Sequence, residues 1–375
     1  MRYYLIAGEP SGDLHASNLM RELAALDAEA EFRFWGGDLM EAVGGTLVRH
    51  YKETAVMGVV DVVTHIGKIM RNFRECRADI LNYRPDALIL VDYPGFNLKM
   101  AEFAHKHRIK VLYYISPKVW ASKEYRIKSM RKNIDRLYSI LPFEVPYFRS
   151  KSVDAIYCGN PVMDAISQRA NVGEEFHSFC KRNNLDERPK IALIAGSRKA
   201  ELRYCLPEML KAIKEFPEFQ FVIAGAPSFT MADYSEYIEG YDVEVVFGQT
   251  YQLMSQARAA LVTSGTATLE TAILNCPQVI IYLMWGGRLS DFVAHLFIKV
   301  KWIGLVNLIL GRDSIDELFQ CKYSYQKMID DLRSLVDDSP ERTQMLQDYD
   351  ELRRIVGGPG CSSRAASDMI DFLKR

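Results

Sequence analysis

The chain has 375 residues, 49% hydrophobic and 25% charged, which at roughly 100–200 residues per domain suggests two domains, each with apolar material for its own core. Its 47 basic and 48 acidic residues leave a formal net charge of -1, which argues against a general nucleic-acid binder. Seven scattered cysteines, an odd number with no CxxC or other metal-ligand spacing, argue against a metal role and for a reducing compartment.

The segment Met1–Gly8 is too short an apolar run for a signal peptide, since Glu9 follows at once, and reads as a first β-strand over 2–7. The turn Gly8-Glu9-Pro10-Ser11-Gly12-Asp13 follows, with a helix expected to start near Asp13. Small residues there let a ligand approach the backbone, although the turn is neither a GxGxxG nor a Walker A loop; an ordinary strand–helix turn capped by Asp13 explains it equally well. A second strand is expected at 31–35. In segment 55–80, Val59, Val63, Ile66, Met70 and Phe73 follow 4-3-4-3 spacing, one helical stripe, with Lys68, Arg71, Arg74 and Arg77 alongside. That pattern suits an interfacial helix holding acyl chains or touching lipid, or equally a helix facing the core.

Strands are expected next at 86–91, 109–115, 135–140 and 153–158. Their apolar runs are nearly continuous rather than alternating, as in parallel strands covered on both faces, and helical segments separate them. Asp92 closes the strand 86–91 in Asp92-Tyr93-Pro94-Gly95-Phe96-Asn97, where a carboxylate can serve as a general base, or simply form a turn before Pro94. His15 is a secondary candidate. From 118 to 136, Lys118, Lys123, Arg126, Lys128, Arg131, Lys132 and Arg136, headed by Trp120, could receive an anionic headgroup or form a solvated helix face.

After Gly159-Asn160-Pro161 the pattern restarts, so a boundary is expected near 160–170, with one domain at 1–165 and a second at 166–349. Strands follow at 190–195, 219–224, 243–246, 259–263 and 278–283. Two strand ends carry phosphate-type turns. Ala195-Gly196-Ser197-Arg198 offers a guanidinium fork, and Thr263-Ser264-Gly265-Thr266-Ala267-Thr268-Leu269-Glu270 offers amides and hydroxyls at a helix start, with Glu270 able to accept from a ribose hydroxyl. A surface arginine and simple helix capping are the plainer accounts. The stretch 292–302 again mixes bulky apolar and basic groups. From about 314 the chain is expected to be helical, broken at Gly357-Gly358-Pro359-Gly360, with a last helix at about 362–374, within a tail of about 350–375 that can pack on either domain. Asp348-Tyr349-Asp350 is formally an Asp-x-Asp but reads as a solvated helix face, so no metal or other cofactor is expected. No run of about 18 apolar residues is present, so membrane contact is expected to be peripheral.

These motifs resemble, in order along the whole chain, the lipid-A-disaccharide synthase family of Gram-negative bacteria. The matching segments are 8–13, Ala-Val-Met-Gly at 55–58, 92–97, Tyr-Ile-Ser-Pro-Lys-Val-Trp-Ala at 114–121, Leu-Pro-Phe-Glu at 141–144, 196–198 and 264–270. The resemblance implies an α/β fold of two Rossmann-like domains facing a cleft (GT-B type). It implies an inverting transfer from UDP-2,3-diacylglucosamine to 2,3-diacylglucosamine 1-phosphate, at the cytoplasmic face of the inner membrane. Asp92 is then the implied base. Glu9, Ser11, Arg198, Ser264, Gly265, Thr266, Glu270 and Asn307 are the implied substrate and UDP residues, and a homodimer with exchanged C-terminal segments is compatible with it. Val306, Asn160 and Gly95 depart from the usual family residues. Another UDP-sugar enzyme of the same fold, an N-acetylglucosaminyltransferase or a 2-epimerase, is the alternative.

Overall fold

The computed structural model describes residues 1–54, 66–263, 265–284 and 301–375. The chain divides into two compact units, Met1–Ala165 together with Gly357–Arg375, and Ile166–Val356.

The first unit is built on a parallel sheet of β1 (Arg2–Ala7), β2 (Glu31–Gly36), β3 (Thr46–His50), β4 (Ala87–Val91), β5 (Lys110–Tyr114), β6 (Arg136–Ser139) and β7 (Ala155–Tyr157), in the order β3-β2-β1-β4-β5-β6-β7. Strands buried on both faces explain the continuous apolar runs. Tyr3, Leu5 and Ala7 of β1 enter one core layer and Tyr4 and Ile6 the other. The order reverses between β1 and β4, whose ends pair in register as Ala7 with Val91. In a doubly wound sheet that switch point opens the crevice where ligands bind.

The second unit repeats the plan with β8 (Lys190–Ile194), β9 (Gln220–Gly225), β10 (Val243–Phe247), β11 (Ala257–Val262), β12 (Gln278–Tyr282) and β13 (Glu317–Phe319), all parallel, in the order β10-β9-β8-β11-β12-β13. Its switch point lies between β8 and β11, where Ile194 pairs with Val262.

Several elements depart from expectation. The half-exposed edge strand β3, in Thr-Leu-Val-Arg-His, lacks a buried apolar run. The three-residue β13 interrupts the region expected to be helical from 314, because pairing with β12 outweighs any local signal in so short a segment. The first helix begins at Pro10 rather than Asp13, with proline in its first turn where no amide is needed. Asp13 itself is buried and accepts from the amides of Gly37 (2.8 Å), Leu39 (3.1 Å) and Met40 (3.1 Å), so it caps the neighbouring helix Asp38–Val43 instead of its own.

The last helix, Cys361–Leu373, packs in the first unit: Ala365, Ala366, Met369 and Ile370 join Ala16, Leu19, Met20 and Leu23 in one core layer. Its start is held by Asp164, which accepts from the amides of Gly360 (2.5 Å), Cys361 (3.1 Å) and Ser362 (2.7 Å). The Asp-x-Asp run is not a solvated face. Tyr349 is fully buried, and Asp348 is buried against Arg312 (2.8 Å). Only Asp350 of the three is exposed.

Candidate active site

Asp92 follows the last residue of β4, at the switch point of the first sheet. It and Tyr93 both hold left-handed backbone conformations, φ 45° and 49°, which non-glycine residues adopt at a cost. The Asp92 backbone is fixed on both sides. Its amide donates to Tyr114 O (3.1 Å), and its carbonyl accepts from Tyr113 Oη (2.5 Å) and Asn97 Nδ2 (2.7 Å). The Tyr93 ring lies over Gly8, where an added Cβ would come within 2.4 Å of it, so only glycine fits. Tyr93 also stacks on Phe96 (5.7 Å), which stacks on Phe73 (4.5 Å) and Trp35 (5.5 Å), giving the turn a rigid aromatic floor.

Burial raises the Asp92 carboxyl to about 6, and the charge of Glu9 adds to the rise; Lys118 and the Tyr93 amide oppose it. A carboxylate with such a value is mostly ionised at neutral pH and still basic enough to take a proton. Glu9 and Ser11 are exposed at the start of the helix Pro10–Leu26. His15 is buried and held neutral, its imidazole lowered to about 4 by desolvation against the opposing charge of Asp164.

Beyond β5, Glu144 is fully buried and organises the loop that carries Lys118 and Trp120. It accepts from Ser116 Oγ (2.5 Å), Trp120 Nε1 (2.9 Å) and Leu141 N (3.3 Å). Asn160 bridges Ile140 O and the amide of Val162 at 3.0 Å each, which accounts for its place in Gly-Asn-Pro. Gly95 is exposed, with open space around it.

In the second unit the turn after β8 is already occupied by a carboxylate. Glu201 accepts from the amides of Ser197 (2.9 Å) and Arg198 (3.1 Å) and from the Arg198 guanidinium (3.3 Å). Gly196, at φ 91°, leaves room for it, since a Cβ there would lie 2.2 Å from Glu201 Oε2. The Arg198 side chain remains 60% exposed. After β11, Gly265 (φ 123°) precedes the helix Thr266–Ile273, whose Thr266 is exposed. Glu270 accepts from Tyr251 Oη (2.9 Å), and burial raises its carboxyl against that hydrogen bond. Ser264 lies outside the described residues.

Asn307 is buried with its whole amide engaged. It donates to Ile315 O (2.8 Å) and Glu317 Oε1 (2.9 Å) and accepts from Ser314 N and Ile315 N, both at 2.9 Å. It shapes the loop before β13, and a direct ligand contact would have to displace one of these bonds.

The apolar stripe divides. Phe73 is buried with Cys76 and Ile80 against the sheet, whereas Met70 is 56% exposed. The core-facing account therefore holds for Phe73. Val59, Val63 and the side chain of Ile66 lie outside the described residues, as does 292–300. Lys118, Lys123, Lys128, Arg131 and Lys132 are exposed, but Arg136 is withdrawn into an ion pair with Asp368 (3.1 Å). Sequence reasoning missed Glu144, Glu201 and Tyr113 as organisers of these turns. Only Glu201 had a local signal, an acidic residue three positions into a helix that starts after Arg198.

The model for lipid-A-disaccharide synthetase matches residues 3–364. The chain belongs to the lipid-A-disaccharide synthetase family. A lipid-A-disaccharide synthase of Geobacter sulfurreducens is 34% identical over 99% of this chain and 97% of its own length; that of Myxococcus xanthus is 32% identical over the same shares. Among solved structures, the S. aureus MnaA–UDP co-structure superposes with a TM-score of 0.70 at 10% identity, covering 100% of this chain and 97% of that one. The UDP-GlcNAc 2-epimerase of Neisseria meningitidis bound to UDP-GlcNAc gives 0.64 at 12%, covering both chains fully. At such identities these neighbours establish for this synthetase-family chain its two-domain Rossmann-like fold and nothing finer.

Proposed function

We propose that this glycosyltransferase joins UDP-2,3-diacylglucosamine to 2,3-diacylglucosamine 1-phosphate, forming the lipid A disaccharide 1-phosphate and UDP. The observation that carries the reading is a partly buried aspartate with a raised pKa at the switch point of a synthetase-family chain. Asp92 takes the proton from the acceptor's 6-hydroxyl. The freed oxygen bonds to the donor's anomeric carbon as the bond to the UDP oxygen breaks, through an oxocarbenium-like state with inversion.

The first unit is the acceptor side, with Glu9 close enough to act on the charge of Asp92 and Ser11 in the same turn as Glu9. The second unit is read as the UDP side. The exposed Arg198 guanidinium and the amides of Gly265 and Thr266 receive the charge that develops on departing UDP, and Glu270 accepts from ribose. Asn307 supports this side through the loop it holds.

Among the described residues no helix is long and apolar enough to cross a membrane. The exposed face of the helix Ile66–Tyr83 presents Lys68, Met70, Arg71 and Arg74, and the segment 123–132 presents Lys123, Lys128, Arg131 and Lys132. Such a basic surface with an apolar side chain suits peripheral contact with anionic lipid at the cytoplasmic face of the inner membrane. The 2-epimerase alternative has only a shared fold behind it. Acceptor-dependent UDP release in detergent, measured for wild type and Asp92→Asn, tests the proposal. Release that requires both lipids and collapses in the variant supports it; no release from wild type removes the substrate pair.

A further inference from the structure

We infer that Tyr113 and Asn97 are positioning residues that hold Asp92 in its strained left-handed conformation, so that they act on the reaction only through that side chain. The inference rests on the reading of Asp92 as the base.

The geometry is specific. A non-glycine residue at φ 45°, followed by another at 49°, persists only when its surroundings over-determine it. Here the determinants converge on one atom. The Asp92 carbonyl receives Tyr113 Oη at 2.5 Å and Asn97 Nδ2 at 2.7 Å, which uses both of its lone pairs. Asn97 is fully buried, and its Nδ2 also lies within 3.3 Å of Ile6 O and 3.2 Å of Val91 O. One amide thus ties the ends of β1 and β4, the two strands flanking the switch point, to the carbonyl of the residue that follows β4. Tyr113, fully buried on β5, reaches the same atom from the other side. Burial keeps its hydroxyl protonated and therefore a donor. An aspartate serving only to start a turn would not need two buried donors on its own carbonyl, since local side chains of ordinary turns suffice.

Tyr113→Phe removes one hydroxyl and preserves the ring that packs in the core. We expect kcat to fall about tenfold, the worth of one such hydrogen bond, with both KM values within twofold of wild type. The acid limb of the pH–rate profile should also move to lower pH, because a carboxylate released from this turn gains solvent and loses the burial that raised it. Loss of folded protein alone would lower the rate without moving that limb. Asn97→Ala, which removes the second donor, should shift the limb the same way, and circular dichroism with thermal melting reports the folded fraction of each variant. In an Asp92→Asn background, Tyr113→Phe should leave the residual rate unchanged. Wild-type kcat and an unmoved limb in Tyr113→Phe, with Asp92→Asn inactive, would overturn this inference alone. A fully active Asp92→Asn would overturn the base assignment beneath it.

Discussion

Asp92→Asn should make the protein more stable above pH 6 while removing its activity. The rise of this carboxyl from 3.8 to about 6 is caused first by burial and then by the charge of Glu9. At 1.36 kcal/mol per pH unit that corresponds to about 3 kcal/mol, or about 2 kcal/mol once partial exposure is allowed for. Because the folded value lies above the unfolded one, the wild type has its full relative stability below about pH 4. It loses that stability as pH rises through about 6, where the carboxylate ionises inside the fold. Asparagine carries no such charge. The unfolding free energies of the two proteins from urea titration should therefore coincide near pH 4, diverge between 4 and 6, and stay about 2 kcal/mol apart above that. Over the same range wild-type kcat/KM should climb and level off above pH 6, since only the ionised form accepts a proton. A stability difference that does not change with pH, or one that shrinks as pH rises, would refute the argument that burial of a charged base sets this value.

Three further substitutions probe the loops and helix start that buried carboxylates and a glycine hold in the two units. Glu144→Ala strands Ser116, Trp120 and the Leu141 amide without their acceptor and should cost roughly 2–3 kcal/mol, with Trp120 emission shifting to the red as its loop loosens. Gly196→Ala forces a side chain into a left-handed position against Glu201, and a loss of about 1–3 kcal/mol should appear as a lower thermal midpoint together with weaker UDP binding by calorimetry. Asp164→Ala frees the amides of Gly360, Cys361 and Ser362 and should cost about 2 kcal/mol. Limited proteolysis should then cut faster around Gly357–Gly360 while the Ile166–Val356 unit stays protected.

Most of the sheet was legible because parallel strands covered on both faces leave continuous apolar runs with turns between them. All the strands read that way sit where those runs are, and the edge strands β3 and β13 escaped because an edge needs fewer apolar residues or is simply short. The turns after β1, β8 and β11 were legible by position, since a strand end followed by small residues is a local pattern. Their occupants were not. Asp13 reaches across 24 residues to cap a different helix, and Asp164 reaches across 196 to hold the last one, so no window of sequence could pair them. The stripe through Met70 and Phe73 divides for another reason. Residues three apart lie about 60° from each other on a helix, and the sheet selected the side bearing Asn72, Phe73, Cys76 and Ile80, leaving Met70 in solvent.

The two sheets share one topology while their switch points differ in electrostatics, and magnitudes explain how that is possible. Each switch point places helix N-termini, which favour negative charge, beside the strand ends. In the second unit that preference acts unopposed: the turn amides at 197 and 198 already hold a carboxylate, and Arg198 extends a further positive charge into solvent. On the proposed reading, the exposed Arg198 guanidinium is the group there that a departing pyrophosphate would meet. The same preference ought to depress Asp92, which precedes the helix Pro94–Lys106 and lies against the Tyr93 amide. A helix terminus contributes only about 0.3–1 kcal/mol to a carboxylate, however, whereas burial and Glu9 together raise this one by up to about 3 kcal/mol. Desolvation wins, so the Asp92 carboxyl at the first switch point is raised rather than depressed. With Asp92 as the base proposed above, the strained turn would serve the reaction by keeping that carboxyl buried. A relaxed backbone would let the carboxylate reach water, and with the same helix terminus favouring its charge its pKa would fall back toward the usual carboxylate range, making it a weaker base.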